Sequence, residues 1–305
     1  MSEKITVHRS DGKVLLYTLF VTLALLWGLS FLGTKVALAE MTPIELLSVR
    51  WGMSLVLFCI LIGLRIIKVS YRGKNIKLLA LAVLVQPCIY AILEAWGIDL
   101  TTSSESSIFI AVVPLMVVLE SFIFLKQKVS RRTGLGIIIG FAGVVISIAF
   151  SPEFSTGGKF TGYLCLIGAV TVGALYTLLS NRLGKEFSTM ETSFGLAIAG
   201  GLFFNLLSLL QGNGLHPYKV FIAGGQTMWA VIYLGVGCSF AAYIIFNYTL
   251  SRLKAELASC IQTNSITVVG VAAGIIFGGD SWGWYTILGM CMTITGIVIA
   301  SRDVK

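Results

Sequence analysis

Apolar residues in this chain come in long runs separated by short polar connections. A helix needs about 20 mostly apolar residues to cross the hydrocarbon core of a bilayer. Ten stretches meet that requirement: 14–37, 44–67, 76–98, 104–125, 134–150, 161–183, 190–210, 228–250, 257–277 and 283–300. No connection between them is long enough to hold a soluble domain. The pattern predicts an all-α integral membrane protein of ten transmembrane helices, preceded by a short polar segment, 1–13. The first run exceeds the length of a secretory signal core. It leads into Phe31, Thr34 and Lys35 rather than a small-residue cleavage pattern, so it reads as a retained helix.

Composition leads to the same class. Of 305 residues, 56% are apolar and only 12% charged, where a soluble domain carries about a quarter. Mean hydropathy is +0.92. A soluble protein with charge so sparse would lack the polar surface to meet water.

The distribution of Lys and Arg orients the helices. Basic residues gather in 1–13, 65–77, 126–132, 182–185, 252–254 and 302–305. Of the 22, only Lys35, Arg50, Lys159 and Lys219 fall elsewhere. The opposite ends carry mostly acids: Glu40, Glu45, Asp99, Glu105, Glu153 and Asp280. The expectation is that both termini are cytoplasmic, in a multi-pass protein of the cell membrane. The net charge of +8 then reflects attraction of basic loops to the inner leaflet and calls for no nucleic acid.

The six cysteines, Cys59, Cys88, Cys165, Cys238, Cys260 and Cys291, all lie in apolar runs, and no two are spaced as metal ligands. The only histidines, His8 and His216, sit in polar segments. No metal site is expected. With no phosphate-binding glycine loop, ATP-driven transport has no support, and no cofactor is called for.

The two halves match at a shift of 153 residues: Gly136 meets Gly289, Gly143 meets Gly296 and Gln127 meets Asp280. Each half, 14–150 and 161–300, holds five of the expected spans. An odd number of spans turns the second copy upside down, and inverted repeats with a site at their interface are a transporter architecture.

Several strings carry a resemblance. "LLWGLSFLGTKVAL" holds Trp27, Gly28, Phe31 and Lys35; "PIELLSVRW" holds Pro43 and Arg50; "TTSSESSIFIAVVP" ends on Pro114. In order and spacing these resemble the EamA-type drug/metabolite transporter superfamily over nearly the whole chain, twice over. The Leu-Gly-Glu element of that family is altered here to Leu125-Lys126-Gln127 and Gly278-Gly279-Asp280, and its ninth-helix proline is replaced at Ile266 or Thr267. The resemblance implies ten helices, a central cavity and alternating-access movement of small metabolites, with export as the direction.

Polar side chains inside the spans are the functional candidates, because ionisable groups in a bilayer are costly. Gln86, Tyr90 and Glu94 lie four residues apart and form one stripe on the third helix. The repeat shift turns them into Ser239, Tyr243 and Asn247 on the eighth. Two such stripes read either as interhelical hydrogen bonding or as two walls of one cavity. Gln262, Thr263 and Asn264 lie in the polar middle of the ninth helix and carry the same two readings. Trp27, Ser30 and Phe31 share a face of the first helix and can add an aromatic wall; Tyr176 on the sixth is a further candidate. Arg50 reads as a side chain that snorkels to headgroups or pairs with Glu40 or Glu45; Lys35 has the same options and its role stays open. Glu120 reads as a partner of Lys126 or Lys128.

The expected function is secondary transport of a small polar metabolite, an amino acid or related amine, with Glu94 as the site of any proton coupling. An acid among aromatic rings suits an ammonium, amides suit a carboxylate, and no cluster of Arg or Lys favours phosphate esters. A passive facilitator or channel is the first alternative. An intramembrane enzyme is the second and lacks a nucleophile–base constellation. Partners are the lipid bilayer and a small molecule; the oligomeric state is not legible.

Overall fold

The computed structural model describes residues 9–126, 130–150, 160–253 and 255–301. In chain order the helices are α1 (Arg9–Gly28), α2 (Ser30–Leu38), α3 (Pro43–Gly63), α4 (Ile76–Val83), α5 (Tyr90–Leu100), α6 (Ser103–Ile110), α7 (Val113–Leu125) and α8 (Arg131–Ala149). They continue as α9 (Phe160–Leu183), α10 (Thr189–Leu210), α11 (Val220–Ala223), α12 (Gly225–Ile232), α13 (Tyr243–Arg252), α14 (Ala255–Phe277) and α15 (Trp284–Ser301). Several of these join end to end into longer rods. Among the described residues, seven stretches are long and apolar enough to cross a membrane. They are Leu15–Leu38, Pro43–Gly63, Ile76–Leu100, Ser103–Phe124, Phe160–Leu183, Thr189–Leu210 and Gly225–Arg252. Ile261–Phe277 and Trp284–Ile299 are shorter apolar helices. The chain is an all-α, multi-pass membrane bundle.

Its surface and interior follow from lipid as the solvent. Leu202, Leu206, Leu210, Ile138 and Val145 are exposed on the outside, while Ser48, Ser54, Thr177, Ser180, Ser193 and Thr293 are buried. Hydrocarbon offers polar groups no partner, so the hydroxyls turn inward: Ser54, Ser180, Ser193 and Thr293 bond to neighbouring helices, and Ser48 and Thr177 to carbonyls of their own helices.

The helix starts are written in the sequence. Thr42 and Glu45, Thr102 and Glu105, and Ser188 and Glu191 each form a reciprocal capping box. Pro43 stands at the first turn of α3, where its missing N–H is no loss. Between α4 and α5 a π-helical turn, Leu84–Ile89, contains a true break: Gln86 has φ −133° and ψ 119°. Pro87 explains it, since proline lacks the donor N–H and pushes the preceding residue into extended backbone. A second π-helical stretch, Tyr233–Ala242, joins α12 to α13.

Lys35, whose role the sequence leaves open, binds backbone at the end of α5. Its Nζ donates to the carbonyls of Ile98, Asp99 and Thr101 at 3.1, 2.7 and 2.7 Å. A cation there complements the carbonyl end of α5, where the Ile98 carbonyl also accepts the Thr101 amide at 3.4 Å. At the same end of the bundle, the Asp280 carboxylate accepts the Ser104 amide at 2.7 Å, at the start of α6. The Tyr163 hydroxyl donates to Glu105 at 2.9 Å. Glu120 is buried, and its Oε2 has no partner among the described residues. Lys126, one of its expected partners, is exposed; Lys128 lies outside the described residues.

At the other end, the connection between α3 and α4 is clasped to the start of α10. Ser70 donates its amide to the Glu191 carboxylate at 3.1 Å, Tyr71 its hydroxyl to the Glu191 carbonyl at 2.8 Å, and Lys74 pairs with the same carboxylate. Burial, with the Glu191 charge beside it, pushes the Tyr71 phenol up to about 12.

Helices α8 and α15 run antiparallel in close backbone contact. Thr293 Oγ1 donates to the Gly140 carbonyl at 3.3 Å and to the Gly289 carbonyl at 2.8 Å. A Cβ on Gly296 would lie 2.4 Å from the Gly140 nitrogen and 2.5 Å from the Gly136 oxygen. Both are backbone atoms and neither can yield. Small residues permit such approach, and van der Waals packing then holds the helices. Gly296→Leu is expected to force the pair apart at a cost of about 1–3 kcal/mol. The readout is a lower Tm of the detergent-solubilised protein; an unchanged Tm would contradict this packing.

Candidate functional site

The long rods surround a cavity with about 710 Å³ of space between atoms, part of it open to solvent. Its lining comes from seven parts of the chain: α1–α2, α3, the broken α4–α5 rod, Ile110 and Val113 of the α6–α7 rod, α9, α13 and α14. The break before Pro87 sets one wall. Gln86, freed from helical backbone, is buried and donates through Nε2 to the Tyr243 hydroxyl. One turn on, the Tyr90 hydroxyl donates to Glu94 Oε1 at 2.7 Å. No bond to Oε2 is found among the described residues, and Glu94 lines the cavity.

An aromatic wall faces this stripe. The ring centroid of Trp27 lies 5.2 Å from that of Tyr243 and 4.9 Å from that of Phe246. These are edge-on and tilted contacts of the kind aromatic quadrupoles favour. The Trp27 indole donates to the Cys238 carbonyl at 3.4 Å, which fixes the ring. Ser30 spends its hydroxyl proton on the Trp27 carbonyl at 2.7 Å. Phe31, buried, completes that face.

Ten of the residues singled out in the sequence line the cavity: Trp27, Ser30, Phe31, Gln86, Tyr90, Glu94, Tyr176, Tyr243, Gln262 and Thr263. Three do not. Asn247 is held between helices: its Oδ1 accepts from Tyr176 at 2.7 Å and Ser180 at 2.9 Å, and its Nδ2 donates to Ser193 at 2.9 Å. Ser239 accepts from Arg50 Nε at 2.9 Å. Asn264 sits on α14 outside the lining, half-buried.

Arg50 is the residue that sequence reasoning misjudged. It does not snorkel. It is 6% exposed, lines the cavity, and has no bond to its terminal nitrogens among the described residues. Its charge acts on Glu94, Tyr90 and Tyr243. The available signal was depth: Arg50 lies seven residues into α3, about 10 Å along the axis, which is far for a headgroup contact. Thr177, Phe246 and Ser259 also line the cavity and carried no signal beyond helical spacing.

The arrangement offers one cation, one carboxyl group, rings and amides within a single enclosure. Among the described residues no group of three or more His, Cys, Asp or Glu side chains is placed to hold a metal.

Known proteins give this cavity a setting. The chain is similar to an uncharacterized transporter, YcxC, of Bacillus subtilis, at 26% identity over 89% of this chain and 88% of that one. It is also similar to an uncharacterized transporter of Archaeoglobus fulgidus, at 24% identity over 90% and 95% of the two chains. One crystal structure, at 17% identity, has a TM-score of 0.69 and covers 95% of this chain and 98% of its own; it shares the fold. The profile of the EamA-like transporter family matches residues 14–149 and again 160–302. With both halves matched and a polar cavity inside a membrane bundle, the chain belongs to the EamA-like transporter family and is a transporter.

Proposed function

We propose that this transporter carries a small metabolite bearing an ammonium group, an amino acid or related amine, by alternating access, in the direction of export. The observation that carries the reading is Arg50 and Glu94 lining one cavity. Arg50 presents its free guanidinium nitrogens to a carboxylate, a geometry that favours paired hydrogen bonds. Glu94, with Trp27, Tyr90 and Tyr243 around it, receives the ammonium by charge and cation–π attraction. Glu94 is also the group proposed to exchange a proton as the cavity opens to either side. A single arginine is too little for phosphate esters.

Alternating access rests on ten spans arranged as two inverted repeats, 14–150 and 161–300. Several features support this arrangement. Gly140 and Thr293, which hydrogen-bond to each other, are 153 residues apart and so are repeat mates. Gly143 packs on Gly289, and Gly136 on Gly296; the repeat shift exchanges these two pairs. A residue touching its own mate, flanked by exchanged pairs, is what a two-fold axis produces. Between antiparallel helices that axis lies in the membrane plane. The π-helical turn Leu84–Ile89 also shifts into the second π-helical stretch, Tyr233–Ala242.

The test is transport in proteoliposomes with a panel of amino acids, amines, sugars and sugar phosphates. Amino acids or amines are expected to accumulate against their gradient when a proton gradient is imposed. Movement only down the gradient favours a passive facilitator. Movement of sugar phosphates or nucleotide sugars alone overturns the reading. Two variants sharpen it. A hydrogen bond to a charged group is worth about 1.5–3 kcal/mol, so Arg50→Met should weaken carboxylate-bearing substrates about tenfold or more while sparing simple amines. Glu94→Gln should remove the dependence on the proton gradient at undiminished expression; transport unchanged across the pH range counts against the role of Glu94.

Both termini are assigned to the cytoplasm and the protein to the cell membrane, on the basic asymmetry of its loops. Cysteines introduced at 211–219 should label from outside, and those at 68–77 should not. Outside labelling of both loops would sink the orientation.

A further inference from the structure

Gln262, a lining residue on α14, carries a buried acceptor with nothing to accept from. Gln262 is 1% exposed, lines the cavity, and its Oε1 has no hydrogen-bond partner among the described residues. Its orientation is determined chemically. The Thr249 hydroxyl donates its only proton to the Phe246 carbonyl at 2.8 Å. Toward Gln262 it can therefore only accept, and Gln262 Nε2 donates to it at 2.5 Å. The amide nitrogen is thus turned to Thr249 and the carbonyl oxygen away from it. A flipped amide would set two acceptors against each other. A buried carbonyl left unpaired is costly, and native proteins rarely keep one without a reason.

Depth separates this acceptor from the charged groups. Gln262 lies seven residues from the start of α14, and Arg50 seven residues from the start of α3. Successive rods run in opposite directions, so these starts are at opposite ends of the bundle. Each residue is about 10 Å in from its own end, within rods about 30 Å long. A ligand whose head is held between Arg50 and Glu94 extends its side chain toward Gln262. Ser259, about one turn before Gln262 on α14, and Thr263, the residue after it, also line the cavity.

The geometry points to Gln262 as the position that reads the substrate's side chain: Oε1 accepts a hydrogen bond from a hydroxyl or N–H carried at that end. This rests on the amino-acid reading of the charged end. An apolar pocket hardly rejects an added hydroxyl, whereas a site built to bond a hydroxyl strongly rejects the analogue lacking it. The carrier should therefore prefer hydroxylated side chains over apolar ones of equal size.

The probes are pairs graded in length: threonine against valine and 5-hydroxynorvaline against norleucine, each matched in shape, and tyrosine against phenylalanine, which lacks only the hydroxyl. Each is titrated into the purified full-length protein, with ligand-induced rise in melting temperature giving the affinity. For at least one length, the hydroxylated member should bind about tenfold more tightly, and Gln262→Leu should erase that ratio while the apolar member still binds. Gln262→Met, unbranched and closer in shape, serves the same purpose if the leucine variant does not fold. Equal affinity within every pair, or a ratio that survives both variants, overturns the assignment. Binding of simple amines but of no amino acid overturns the substrate reading, and this inference with it.

Discussion

Lipid gives a polar side chain nothing to bond with, and the bundle is organised around that deprivation. Each hydroxyl, amide or charge inside a span has to find a partner within the protein or face an interior space that water or a ligand can fill. Most find partners. Asn247 gathers Tyr176, Ser180 and Ser193, and Asn205 bonds to the carbonyls of Ser48 and Gly201 at 3.0 and 2.7 Å. Some that do not, such as Trp51 Nε1, Glu120 Oε2 and Ser208 Oγ, lie apart from the cavity, and others line it. The terminal nitrogens of Arg50, one oxygen of Glu94 and the carbonyl of Gln262 are left over from the packing, and what is left over is what a substrate can use.

Much of the fold was legible because the bilayer writes it in one dimension. Span length, helix caps such as Thr42 with Glu45, and the break at Pro87 depend on neighbours in sequence. The glycine spacing that fits α8 to α15 could also be read, since it recurs at one shift in both halves. The site was legible only in part, for a reason that Arg50 and Asn247 illustrate from opposite sides. A helical stripe shows that polar groups share a face; whether the face meets a cavity or a partner depends on residues far along the chain. The partners of Asn247 are 71, 67 and 54 positions away. The hydroxyl that holds Arg50 inward is 189 positions away. Neither relation leaves a local trace.

Lys35 has a consequence beyond capping. It stands on α2, beside Ser30 and Phe31, and grips the last carbonyls of α5, the helix that carries Glu94. Three charge-assisted bonds at that point act as a rivet between the two walls. As long as it holds, that end of the bundle cannot part along the line between α2 and α5. Any opening there would have to run along another seam, leaving Phe31 and Glu94 on the same side of it.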